Sequence, residues 1–480
     1  MTAPSTLPSA IALAACALIA ACGGSDDDIA AEPEETRPQD TRSFTADAAL
    51  TTFAAMAAAP GDSVDMATTS RWAGVQGGAG YRVEVPANWN GKLVMYAHGF
   101  RGEGAALTVS DPTLRRFLVQ NGYAWAASSY SKNYYDVRAG VEDTNALALA
   151  FNTIAGARGR TLAAPTRLYI TGHSMGGHVT GAAIEDEAAT NAMNKVRYHG
   201  AVPMCGVMAD TDLFNQFAAM QVSAQALAGL PAYPTAKFAD IRTLVTTTLF
   251  TTFPSAPTAQ GTKYLSVVKN ITGGERPLFA QGIAFGGSFA SAYGTFGSDG
   301  TVTGILNRNV LDTRAYTYTI DGDGAGSTAL NTSVLKLTPA ADANRLRRDG
   351  LRWVPVINGE YKIPVVSIHT LGDLFVPFSM QQVYARRTAA KGNATWLVQR
   401  AIRGASHCDF TVAEQAEAFD AMIKWERDGV KPAGDDVLTP ATVAAPTYGC
   451  AYTRNTLGPD DGNSTRQLRA GIAASTPACP

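Results

Sequence analysis

The chain has 480 residues, 46% hydrophobic and 17% charged, which excludes a disordered or fibrous protein. Length alone suggests about three domains of roughly 150 residues. The net charge of −2 hides an asymmetry: residues 1–40 carry seven acids against the single base Arg37, leaving 38 basic and 34 acidic side chains over the other 440. No dense basic stripe marks a nucleic-acid partner, and no run of about 20 apolar residues offers a membrane-spanning helix.

Residues 10–21 are small and apolar, about the length of a signal-peptide core and too short to span a bilayer. They end in Ile19-Ala20-Ala21-Cys22, which resembles the lipobox of bacterial lipoproteins, where cleavage before the Cys precedes its lipidation. Leu13-Ala14-Ala15-Cys16 fits the same pattern but would leave a very short apolar core, so Cys22 is the preferred site. The segment before the core holds no Lys or Arg, a departure from the usual signal peptide. Residues 23–44, beginning Gly23-Gly24-Ser25-Asp26-Asp27-Asp28, read as a flexible, self-repelling acidic tether. The expected address is therefore the cell envelope of a bacterium, anchored by lipid to a membrane or released from it.

Cleavage there leaves Cys205, Cys408, Cys450 and Cys479, which in an oxidising compartment allow two disulfides in three connectivities. Cys450 and Cys479 share a Pro-, Gly- and Thr-rich tail (431–480) with little hydrophobic periodicity, which gains most from a staple, so Cys450–Cys479 with Cys205–Cys408 is the working pairing. None has the C-x-x-C spacing of a zinc site or redox dithiol.

Beyond the tether, strands and helices alternate. Tyr81 to Val85 alternates at period two; Leu93 to Ala97 is a continuous apolar run ending in His98-Gly99-Phe100; residues 112–121 have helical spacing; Tyr123 to Ala127 forms a short strand. A helix over 143–155, a strand over 168–171, a helix near 176–189 and a strand over 201–204 come next. Between about 208 and 350 the pattern lapses into an Ala-rich helical part (211–229), Thr-rich runs and a Gly-rich loop from Gly286 to Gly300. It resumes with strands at 363–368 and 394–398 and an amphipathic helix near 411–427. Strands that are apolar throughout imply a parallel sheet covered on both faces, an α/β fold.

The strongest local signal is Gly172-His173-Ser174-Met175-Gly176-Gly177, directly after one strand and directly before a helix. The glycines permit a tight turn that exposes the Ser174 hydroxyl, and the helix aims its N-terminal amides at the same spot. A serine needs a base oriented by a carboxylate. Of six histidines, His98 and His173 belong to Gly-flanked turns, His178 to the helix after the serine, and His199 and His369 lie in or beside strands as hydrogen-bonded structural groups. His407, in Gly404-Ala405-Ser406-His407-Cys408, sits in a loop able to place its imidazole over Ser174. Asp373, in Gly372-Asp373-Leu374-Phe375-Val376-Pro377, comes after a strand and completes the order Ser…Asp…His. All three fall at C-terminal strand ends, where open parallel sheets place their sites. The amides of Phe100 and Met175 are the expected oxyanion donors.

These motifs resemble the α/β-hydrolase superfamily over roughly residues 75–205 and 355–430. The resemblance implies an α/β-hydrolase core (45–205 and 356–430), a Ser174–Asp373–His407 triad, an acyl-enzyme on Ser174, and a cap inserted at 206–355. The His407-Cys408 pair is similar to the tannase and feruloyl esterase group, where that Cys bonds to a Cys preceding the nucleophile. Here His173 occupies that position, so the group's bridge cannot form and Cys408 must pair elsewhere.

Weaker signals add little. Asp321-Gly322-Asp323-Gly324 looks like half a calcium loop, but Thr332 stands where an EF-hand has Glu, and a turn is the better reading. Tyr130, Tyr134 and Tyr135 either line a substrate cleft or pack under the cap. No phosphate-cradling or dinucleotide fingerprint comes after a strand, so neither cofactor nor metal is expected. The combined expectation is an exported serine hydrolase of carboxylic esters, meeting small, bulky, aromatic or polymeric esters outside the cell. A peptidase or amidase with the same triad and a non-catalytic surface binding protein are the competing readings. Replacing Cys22 with Ser should move the protein from the membrane to the soluble fraction; an unchanged distribution would reject lipidation at that residue.

Overall fold

The computed structural model describes residues 43–297, 311–339 and 355–479. Cys16, Cys22, the lipobox and nearly all of the acidic tether lie outside the described residues.

An eight-stranded sheet organises the chain: β1 Ser70–Gln76, β2 Ala79–Val85, β3 Lys92–Ala97, β4 Ala124–Ser128, β5 Arg167–His173, β6 Gly200–Met204, β7 Val365–Thr370 and β8 Leu397–Ile402. Their spatial order is β1-β2-β4-β3-β5-β6-β7-β8. β2 pairs antiparallel with both neighbours, and every pairing from β4 to β8 is parallel. The inner strands are apolar throughout because helices cover both faces: Leu93, Val94, Met95, Tyr169, Ile170, Ala201 and Val202 are fully buried. The chain has the α/β-hydrolase fold.

The helices of the core are α1 Arg115–Gln120, α2 Val137–Ala157 and α3 Met175–Ala183. α2 begins six residues before the helix read from the sequence, because the Asp136 carboxylate caps it by accepting from the Ala139 amide at 3.0 Å. The helix expected over 176–189 breaks into α3 and a short turn of helix at Asp186–Asn191. Glu185 sits extended at the break, and its buried carboxylate accepts from the Gly359 and Glu360 amides at 2.8 Å each. Burial pushes that carboxyl up to about 7.

Between β6 and β7 the chain makes a long insertion whose described helices include α4 Asp212–Leu227, α5 Phe238–Leu249, α6 Ala259–Ile271, α7 Phe279–Ala284, α8 Ser288–Gly294 and α9 Gly324–Ser333. It has its own aromatic centre, where Phe253 packs on Phe289 and Tyr293 at ring separations of 5.7 and 4.8 Å. The Asp321–Gly324 stretch is a turn: Asp323 caps α9 through the Gly326 amide, while Lys263 and Lys269 pair with Asp323 and Asp321. Ammonium groups therefore occupy the cation's place at both carboxylates.

After β7 come α10 Ser379–Ala390, β8, α11 Val412–Asp428 and α12 Asn463–Ser475. The α11 start is a full capping box of Thr411 and Glu414, and its end is Gly429 in the left-handed region. The strand expected from 394 begins at Leu397, preceded by a 3₁₀ turn. The tail is more ordered than its composition suggests. Arg469 of α12 pairs with buried Glu414 at 2.9 Å, and Cys450–Cys479 closes the segment as expected.

Close backbone approach fixes the turn between β5 and α3. A Cβ on Gly176 would fall on the Ala97 carbonyl of β3, and one on Gly172 would fall on the Gly176 carbonyl. Gly176→Ala should therefore lower stability by about 1–3 kcal/mol or more in a denaturant titration; an unchanged midpoint would contradict that approach.

Candidate active site

Ser174 stands between β5 and α3 with φ 57° and ψ −121°, backbone angles that a non-glycine residue adopts only under constraint. Its amide donates to the Met204 carbonyl of β6 at 3.1 Å, which ties the turn to the neighbouring strand. The hydroxyl lies 2.8 Å from His407 Nε2. His407 Nδ1 lies 2.6 Å from Asp373 Oδ2. The two distances define a continuous relay in which Nδ1–H donates to the carboxylate and Nε2 accepts from the serine. The structure thus brings together all three residues singled out from the sequence.

Asp373 is fully buried in the loop after β7, and its other oxygen accepts from the Phe375 and Val376 amides at 2.9 and 3.0 Å. Behind it lies His369, whose Nε2 donates to the Val376 carbonyl at 2.7 Å and sits 3.8 Å from Asp373 Oδ2. His369 Nδ1 meets Gln381 Nε2 at 3.3 Å, and Gln381 in turn accepts from Ser367 and Gln399. Burial pushes His369 downward in spite of Asp373, so it is a neutral strut beneath the acid loop.

The His98-Gly99-Phe100 turn after β3, where the oxyanion donor is expected, lies against the serine: a Cβ on Gly99 would come 3.2 Å from Ser174 Cβ. Neither the Phe100 nor the Met175 amide donates to an acceptor among the described residues. His98 braces the turn. Its Nδ1 bonds the Gly99 carbonyl at 2.6 Å, and its ring stacks on Tyr130 at 4.0 Å, while Tyr130 OH donates to the His98 carbonyl at 2.9 Å. Burial drives His98 down to about 4. Tyr130 and its neighbours are packing residues: Tyr135 bonds His178 Nδ1 at 3.0 Å, and Tyr134 meets Phe44 edge-on. His199 accepts from the Leu168 amide at 3.2 Å, as a structural histidine should.

Cys408 pairs with Cys205, which comes directly after β6. The bridge fastens the histidine loop to the strand beside the nucleophile, rather than to the residue before the serine. That residue, His173, is held between Tyr96 OH at 3.2 Å and Gln415 Oε1 of α11 at 3.1 Å. Burial drives His173 down to about 4, with Gln415 opposing and His407 adding to the shift. The grouping of Cys205, Cys408 and His407 is thus a disulfide beside an imidazole rather than a metal-ligand set. Apolar rings border the site: Phe375 meets His407 edge-on at 5.6 Å, and Phe217 of the insertion packs on Phe375 at 5.4 Å.

Sequence reading overlooks the supports: Arg276 and Ser288 of the insertion, Gln381 of α10 and Gln415 of α11. Nothing local marks them, since each acts through a backbone or side chain distant in sequence.

No family model matches the chain. An o-phthalyl amidase from Xanthobacter agilis is 29% identical over 66 residues, spanning 14% of this chain and 15% of that protein. Among solved structures, feruloyl esterase B from Aspergillus oryzae aligns over 76% of this chain and 81% of its own, with 16% identity and a TM-score of 0.39. A second Aspergillus oryzae esterase covers 76% and 81% with 12% identity and a TM-score of 0.42. Candida antarctica lipase A in its closed state covers 82% of each chain with 15% identity and a TM-score of 0.38.

Among the described residues no helix is long and apolar enough to cross a membrane. Two disulfides suggest an extracellular or periplasmic compartment. Replacing Cys205 and Cys408 together by Ser should slow reaction of Ser174 with a fluorophosphonate probe about tenfold, since small misplacements of a base are costly. It should also lower stability by about 2–4 kcal/mol. Probe reaction at the native rate would show that the bridge does not hold His407.

Proposed function

We propose that the protein is an exported serine hydrolase that cleaves carboxylic esters through an acyl-enzyme on Ser174. The observation that carries this reading is the unbroken relay from Ser174 through His407 to buried Asp373, at 2.8 and 2.6 Å. His407 Nε2 takes the hydroxyl proton as Ser174 Oγ attacks the ester carbonyl carbon. The oxyanion that forms is met by the amides of Phe100 and Met175, each such donor being worth about 3–4 kcal/mol. The tetrahedral intermediate collapses as His407 gives the proton to the leaving alcohol oxygen. Water, deprotonated by His407, then attacks the acyl-enzyme and frees the acid.

The Phe375 ring beside His407, backed by Phe217, favours an apolar or aromatic group on the substrate. The apolar leader ending at Cys22 and the two disulfides favour export, with a lipid anchor at Cys22 and the cell envelope as the site of action. The long insertion between β6 and β7 is the element read as a cap, and it selects the substrate. Amide hydrolysis is the second reading, favoured by the short similarity to an amidase.

On purified protein, nitrophenyl acyl esters should be turned over faster than the matching nitroanilides, and Ser174→Ala should lose both turnover and fluorophosphonate labelling. Preference for the anilides would replace esterase with amidase; activity surviving in Ser174→Ala would reject the triad.

A further inference from the structure

The insertion does more than lie over the core, because several of its groups end on the two loops that carry Asp373 and His407. Arg276, between α6 and α7, is buried, and its Nε donates to the Leu371 carbonyl at 2.8 Å, two residues before Asp373. Its other nitrogens are held inside the insertion by the Gly274 carbonyl at 2.9 Å and Thr272 Oγ1 at 3.3 Å. Ser288, at the start of α8, accepts from the Leu374 amide at 3.0 Å and bonds the Gly372 carbonyl at 3.4 Å, so it brackets Asp373 on both sides. Gly282 approaches the Gly372 backbone and Gly286 the Ala405 backbone so closely that a Cβ on either would fall on the facing carbonyl. The Gly286 carbonyl also accepts from Ser406 Oγ, one residue before His407.

We propose that the segment from Thr272 to Gly294 is a positioning element of the triad, in which Ser288 and Arg276 hold the Asp373 loop through hydrogen bonds to the backbone on either side of Asp373. This rests on the triad reading above. The insertion then cannot swing away as one rigid lid without releasing Asp373, so any opening for substrate takes place in its other parts.

The other groups around the pair are uncharged or paired elsewhere. β7 contributes neutral His369, and α10 contributes uncharged Gln381. The β5 end contributes His173, and β6 contributes Cys205 locked in its disulfide. Past the histidine loop, Asp409 and Glu414 face Arg469 of α12. Glu275 stands next to Arg276 and is itself paired with Lys269. Burial draws Arg276 down to about 10, against the pull of Asp373, which leaves it charged at neutral pH.

The test measures the second-order rate of fluorophosphonate labelling, a readout that needs no knowledge of the substrate. Arg276→Met should slow labelling about tenfold, since it loses every bond to the Leu371, Gly274 and Thr272 backbone and side chain. Arg276→Lys, which can still donate to the Leu371 carbonyl but lacks the guanidinium's fork, should recover part of that rate. Ser288→Ala should likewise slow labelling about tenfold. Native rates in Ser288→Ala or in Arg276→Met would overturn the proposal. Should Arg276→Met fail to fold, Ser288→Ala decides it, a native rate being the contrary result. A wild type that is not labelled, or a Ser174→Ala that is, would instead overturn the triad reading together with this inference.

Discussion

Everything about the site depends on one backbone constraint, the left-handed conformation of Ser174 between β5 and α3. Such a conformation costs about 1–3 kcal/mol at a residue with a side chain and persists only where its surroundings leave no alternative. Here the alternatives are closed off by contact. Gly172 and Gly176 allow α3 to press its first turn against β3 and β5, and Gly177 packs against Gly206 beyond β6. With the serine's amide bound to β6, the hydroxyl has one direction left, outward over the C-terminal edge of the sheet. Side chains at the three glycines would push the helix off the strands and let the serine relax.

Asp373 and His407 solve a different problem, since they sit on loops. A loop is positioned only by what grips it. The Asp373 loop is gripped from below by His369 and Val376, from within by the Phe375 and Val376 amides, and from above by Ser288 and Arg276. The His407 loop is gripped by the Cys205–Cys408 bridge, by the insertion's Gly286 carbonyl accepting from Ser406 Oγ, and by Thr370 Oγ1 donating to the Ser406 carbonyl at 2.8 Å. Strand, insertion and disulfide thus converge on two short loops, and the precision of the relay comes from their number.

The parts legible in the sequence are those whose physics is local. A serine in a Gly-rich turn between strand and helix carries its context in six neighbouring residues, and Asp373 and His407 each come after a run of apolar strand. Parallel strands buried on both faces read as continuous hydrophobic runs, which is why β3, β5, β6 and β7 stand out. β1 does not, because this half-buried antiparallel edge strand mixes Arg71 and Gln76 with Trp72 and Val75 and so lacks the signal. The insertion helices are obscured by the Thr- and Gly-rich sequence around them, and their aromatic centre of Phe253, Phe289 and Tyr293 joins residues from a turn and a separate helix. α12 is hidden in a segment whose order comes from Arg469 finding Glu414, a pairing across 55 residues. The supports Arg276 and Ser288 are illegible for the same reason: each contacts the acid loop almost a hundred residues away.

Imidazoles are crowded around the relay. His98, His173, His178 and His369 are all pushed down by burial, His98 and His173 to about 4, and each is committed to hydrogen bonds of its own. Desolvation keeps those rings uncharged without any added acid, since a buried ring resists charging more strongly than nearby carbonyls can favour it. His407 differs in being partly open to solvent and bonded to a carboxylate with no exposed surface. Of these imidazoles, His407 is the one that faces both Ser174 and Asp373, and on the mechanism proposed above the burial of its neighbours leaves proton transfer to it.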